Sequence, residues 1–138
     1  LDSIQGRSPN VALLPLIYSV IVLTWVSGFD IIYSLQDDEF DRETGLYSIP
    51  AVMSRGKALG ISAALHLITV VMVAVAGISG SAGYIYWTGA AVFIVMLVYQ
   101  HLIVRPDDLS RVNMAFGTTN GIAGVIFGLA VVLDLLLL

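Results

Sequence analysis

The chain has 138 residues, of which 58% are hydrophobic and 12% charged, and its mean hydropathy is +0.93. Soluble domains carry about half apolar and a quarter charged residues, so water is not the main solvent of this one. Six Lys and Arg against ten Asp and Glu give a formal charge of -4 without any basic run, which excludes a nucleic-acid interface, and the lack of cysteine excludes disulfides and thiolate metal sites.

Leu1 opens a short polar stretch that lacks the basic start and small-residue cleavage site of a signal peptide, and the chain is expected to be part of a longer protein. A bilayer core about 30 Å thick is crossed by about 20 mostly apolar helical residues, because each backbone N–H and C=O must be paired within the helix. Residues 11–34 meet that requirement first, with Pro15 near the start and Asp30 near the end. A long polar loop follows, and residues 58–78 form the second span, with His66 as its readily ionisable residue. The uncharged segment Ser79-Gly80-Ser81-Ala82-Gly83 reads as a tight turn. Residues 84–104 form the third span, opened by Tyr84, Tyr86 and Trp87 and closed by Tyr99 and His101, rings that favour the membrane interface. A second polar loop with Arg105 and Arg111 leads to the fourth span, residues 119–138, uncharged except for Asp134.

The fold class expected is therefore all-α: a multi-pass transmembrane bundle with four helices in this chain. Five of the six basic residues, Arg42, Arg55, Lys57, Arg105 and Arg111, fall in the two polar loops, which the positive-inside rule assigns to the cytoplasmic side of the cell's inner (plasma) membrane. Asp134, close to the opposite interface, is expected to be solvated. His66 and His101, on different helices and without another His or acid at ligand spacing, read as packing or interfacial residues. Asn113 and Asn120 read as residues that cap or join helices, and Gly117, Gly121, Gly124 and Gly128 as small residues that let the fourth helix approach its neighbours.

The most informative segment runs GFDIIYSLQDDEFDRETGLYSIP, residues 28–50. Asp37, Asp38, Glu39, Asp41 and Glu43 crowd into seven residues, with Arg42 the only basic residue among them. If the first helix continues through them, Asp37 and Asp41 lie one turn apart on one face, where like charges repel. A divalent cation between them resolves the repulsion: Mg²⁺ takes oxygen ligands from one or two carboxylates, waters and substrate phosphates. Upstream, Asp30 sits at membrane depth, where a charge costs about 2.5–3.5 kcal/mol and by default faces a polar cavity. Asp30, Tyr33, Asp37 and Asp41 step by three or four and form a single polar stripe.

The order Asp-x-x-Tyr-x-x-x-Asp-x-x-x-Asp-Arg-x-x-Gly-x-x-Ser-x-Pro, carried by Asp30, Tyr33, Asp37, Asp41, Arg42, Gly45, Ser48 and Pro50, resembles the second aspartate-rich motif of the UbiA superfamily of membrane prenyltransferases. The stretch RPDDLSRVNMAFGTTNGI, residues 105–122, is similar to the loop before the last helix in the branch that includes 4-hydroxybenzoate polyprenyltransferases and menaquinone-pathway enzymes. The resemblance implies that residues 1–138 are the C-terminal part of a single domain of nine helices around a central cavity. It implies transfer of a polyprenyl group from its diphosphate to an aromatic acceptor in quinone biosynthesis, with Mg²⁺ as cofactor, membrane lipid as surroundings and the missing N-terminal half of the domain as partner. By the same resemblance Asp37 and Asp41 are the metal ligands, and Arg42 and Lys57 face the diphosphate unless they anchor the helices at the interface. Asp30 orients the acceptor or takes its proton, or else makes a structural hydrogen bond; Tyr33 stabilises a carbocation by its ring face, or is an interfacial tyrosine. The family's first aspartate-rich motif has no counterpart here, since Asp107 and Asp108 stand in PDDLSR, and the isolated chain is expected to be inactive. Three rivals stand beside this reading: a transporter or channel fragment with Asp30 on an ion pathway, a CDP-alcohol phosphotransferase, and a purely structural membrane subunit.

Overall fold

A computed structural model describes residues 12–35, 54–105, 107, 109–112 and 114–138. Four α-helices dominate it: α1 (Leu14–Ser34), α2 (Arg55–Ser79), α3 (Tyr84–Ile103) and α4 (Asn120–Leu137), with a π-helical segment Met114–Thr119 leading into α4. All four are long and apolar enough to cross a membrane, so the expected all-helical, membrane-spanning bundle is the observed architecture.

Local chemistry explains the boundaries. Pro15, in the first turn of α1, lacks an N–H where none would be paired anyway. α2 begins earlier than the expected residue 58, because the Ser54 hydroxyl accepts a hydrogen bond from the Lys57 amide at 3.2 Å and caps the helix. Arg55 and Lys57, expected in the loop, therefore belong to the first turn of α2. The turn into α3 is a Schellman closure: Ala82 N–H bonds to Gly77 O at 2.9 Å, Ser81 N–H to Ile78 O at 3.2 Å, and Ser81 takes the left-handed conformation at φ 51°.

Two apolar clusters hold the bundle together. One, from Ile17, Ile21, Val73, Tyr86, Phe93 and Phe127 among others, draws on all four helices; the other, built on Ile31, Ile32, Leu35, Ala58, Ile103 and Val112, lies toward the end that bears the long loop. Phe93 and Phe127 stack at 4.8 Å, with Trp25 edge-on to Phe93 at 5.2 Å. Leu23, Leu67, Val95, Val125 and Leu136 point outward. Hydrocarbon tails favour such a surface as much as the core does, so helix association here rests on close packing and interhelical hydrogen bonds.

Close packing needs small residues, though not all of the expected ones. A Cβ on Gly89 of α3 would lie 2.1 Å from the Ala130 Cβ of α4, so that glycine permits the α3–α4 approach. On α4 Gly124 meets the Trp25 ring, whereas Gly121 and Gly128, and Gly117 in the π-helical segment, approach no other helix among the described residues.

Candidate functional site

Asp30 and Tyr33 lie on α1 near the end that leads into the acidic loop, and both are exposed, Tyr33 at 42%. Three residues apart on one helix, they share a face, as the sequence stripe requires. That face is turned away from α2 and the core, whose α1 contacts come from Ile17, Ile21, Gly28, Ile31 and Ile32. Lys57 is exposed on the first turn of α2, at the same end of the α1–α2 pair. Asp37, Asp41 and Arg42 lie outside the described residues.

An ionised carboxylate at this depth facing hydrocarbon would cost several kcal/mol, so the outer face of α1 at Asp30 calls for protein or a polar cavity as its neighbour. The chain's available metal donors are hard carboxylate oxygens and two imidazoles. The imidazoles bond to each other, as described below, and among the described residues no three His, Asp or Glu side chains are placed to hold a metal. The acids at residues 37–43 lie outside the described residues; as oxygen donors without sulfur they are of the type that Mg²⁺ takes.

Between the two apolar clusters runs a polar belt for which no local motif exists. Trp25 is its hub. Its indole N–H donates to Asn120 Oδ1 at 2.7 Å, and Gln100 Nε2 donates to the same oxygen at 3.1 Å. An indole can only donate, so it fixes the orientation of the Asn120 amide and, through it, that of Gln100. Gln100 Oε1, fully buried, is left without a hydrogen-bond partner among the described residues. The Trp25 carbonyl accepts from His66 Nε2 at 3.2 Å, and His66 Nδ1 lies 2.7 Å from His101 Nε2. Because a carbonyl only accepts, neutral His66 carries its proton on Nε2, and His101 must donate to its Nδ1. Ser62 Oγ adds a bond to Gly28 O at 2.7 Å, and the Thr24 and Thr69 hydroxyls pair at the same distance. The two histidines, expected as packing or interfacial residues on different helices, pack against each other, so residues 35 apart in sequence form one pair. Asn120 joins helices, as expected, whereas Asn113 lies outside the described residues.

Asp134 corrects a further expectation. It is 7% exposed, and its two carboxylate oxygens accept from Gly83 N–H at 2.9 Å and Tyr86 N–H at 3.1 Å. α4 thereby caps the N-terminus of α3 with a charge that the helix dipole favours. The only sequence signal for any of these groups was their being polar inside apolar runs, which marks a residue without naming its partner.

Four helices long and apolar enough to cross a membrane, the first with Asp30 and Tyr33 exposed on one face, define a multi-pass membrane protein. A model of the UbiA prenyltransferase family matches residues 4–133, and the chain belongs to that family. Among curated relatives, the 4-hydroxybenzoate octaprenyltransferase of Xanthomonas euvesicatoria pv. vesicatoria is 31% identical over 132 residues, 94% of this chain and 42% of the relative. The protein of the same name from Nitrosospira multiformis is 28% identical over 83% of this chain and 39% of the relative, and that of Francisella tularensis subsp. mediasiatica 24% over 95% and 45%. The chain spans less than half the length of these relatives. No solved structure matches it.

Proposed function

We propose that the chain is the C-terminal part of an intramembrane aromatic prenyltransferase that transfers a polyprenyl group from its diphosphate to an aromatic acceptor. The observation that carries the reading is the exposed Asp30–Tyr33 face of α1, at the helix end from which the sequence runs on to the acids at residues 37–43. Family membership favours a transferase over a transporter, a CDP-alcohol phosphotransferase or a purely structural subunit. The relatives' names favour a 4-hydroxybenzoate-like acceptor and a long polyprenyl donor, with a menaquinone precursor as the second acceptor class. The loop ends of α1 and α2 would face the cytoplasm.

In this reaction the allylic C–O bond breaks with its electron pair leaving on the diphosphate, a C–C bond forms to the aromatic ring, and the ring carbon loses a proton. Asp37 and Asp41 would hold Mg²⁺, which when bound offsets the charge that gathers on the departing diphosphate. Arg42, next to Asp41 in the sequence, and Lys57 would add positive charge toward the diphosphate. Lys57 stands on the first turn of α2, where the helix dipole opposes a cation and rewards an anion beside it. Asp30 orients the acceptor or takes the released proton, and Tyr33 presents its ring to the allylic cation.

The test supplies the complete domain in lipid vesicles with a labelled polyprenyl diphosphate and 4-hydroxybenzoate. Prenylated product should form with Mg²⁺, vanish with EDTA, and fall by about 100-fold or more in Asp37→Ala and Asp41→Ala. Wild-type turnover in both variants refutes the metal assignment.

A further inference from the structure

A cavity of about 40 Å³ lies at the turn end of the bundle, remote from the acidic loop and bordered by all four helices. Tyr18 of α1, Ala76 of α2, Tyr86 of α3, Val131 and Asp134 of α4, and Ala82 of the turn line it. From these groups we infer a hydration site, in which one or two waters bridge the Asp134 carboxylate to the tyrosine hydroxyls.

Room and polarity both argue for water. A buried void stays empty when its walls are apolar, and fills when it has space for about one water and two or more polar partners. Here a buried carboxylate and two phenols share the wall. Each Asp134 oxygen takes one backbone N–H, from Gly83 or Tyr86, and a carboxylate oxygen has capacity for another donor. The Tyr86 proton is committed to Val73 O at 2.7 Å, and the Tyr86 oxygen already has the Tyr18 hydroxyl as a hydrogen-bond partner. The acceptors left over are those of Asp134, so the occupant must bring protons to donate.

Charge decides between water and a cation. The N-terminus of α3 already points two N–H groups at the carboxylate, so its partial positive charge compensates Asp134 and opposes a metal ion in the same space. A neutral donor meets the remaining acceptors without that penalty. The waters would tie α1 to α4, where the direct bonds join α4 to the turn at Gly83 and to α3 at Tyr86.

The experiment compares Ala82→Thr with Ala82→Val in the purified protein in detergent, alongside a structure at a resolution that shows water. The two side chains have nearly the same shape, so strain from filling the space cancels, and they differ in whether a hydroxyl replaces the displaced water. Expected are density within hydrogen-bonding distance of both Asp134 and a tyrosine hydroxyl, and a Thr variant that melts a few degrees above the Val variant. An empty cavity in the map, or a Val variant as stable as the Thr variant, overturns the proposal.

Discussion

Gly28→Ala tests the packing that holds α1 in place. A Cβ at this position would lie 2.3 Å from His66 Nε2 and 2.4 Å from His66 Cδ2, about 1 Å short of ordinary contact. The ring has little room to retreat: its other nitrogen bonds to His101 at 2.7 Å, and one turn away Ser62 holds the Gly28 carbonyl, also at 2.7 Å. The helices must separate or the His66 bond to the Trp25 carbonyl must break. Overpacking of this kind costs about 1–3 kcal/mol, and a lost interhelical hydrogen bond in a membrane about 0.6 kcal/mol more. Alanine's better helix propensity returns at most about 1 kcal/mol. The net expectation is a loss of about 1–3 kcal/mol. It is read as a lower unfolding free energy of the purified protein titrated with SDS in mixed micelles. Combining Gly28→Ala with His66→Ala should recover part of the loss, since the second change removes the atoms that clash. If Gly28→Ala is as stable as the parent, or the double variant shows no coupling, the close approach of α1 to α2 at His66 is wrong.

Further outcomes follow from the same geometry. Asn120→Leu strands the Trp25 indole N–H and the Gln100 amide, costing about 2–4 kcal/mol by SDS titration, whereas Asn120→Asp, which keeps an acceptor oxygen, should cost less. Ser81→Gly should stabilise the protein by about 1 kcal/mol, since Ser81 holds a left-handed backbone that glycine adopts freely; no gain in the same assay would argue against that turn. In the complete enzyme, Asp30→Asn should lower kcat/KM by about 10- to 100-fold while leaving the Mg²⁺ concentration for half-activity unchanged. A shift in the Mg²⁺ requirement would instead place Asp30 among the metal ligands.

The Asp30–Tyr33 face was legible in the order of residues, because positions three apart on a helix must share a side, and the apolar run guaranteed the helix. Lys57 was legible only as a basic residue near the loop. The Ser54 cap, which brings it into the first turn of α2, is a local signal that the hydropathy pattern overrode. The histidine pair and the Trp25–Asn120–Gln100 cluster could not be read in this way. Their spacings of 35, 95 and 20 residues follow no helical period and depend on which faces of separate helices meet.

Chain composition and the lengths of the apolar runs determine that four helices cross a membrane, since helical hydrogen bonds close within each segment and the bilayer's thickness sets how long that segment must be. The proposed cation site at residues 37–43 was drawn from the order of the acids together with the family resemblance. Only the tertiary structure decides which polar groups inside those spans find each other, and whether Asp134 faces water or the start of α3. Rotation and register of one helix against another are set by side-chain packing across long sequence separations, and no local pattern encodes them.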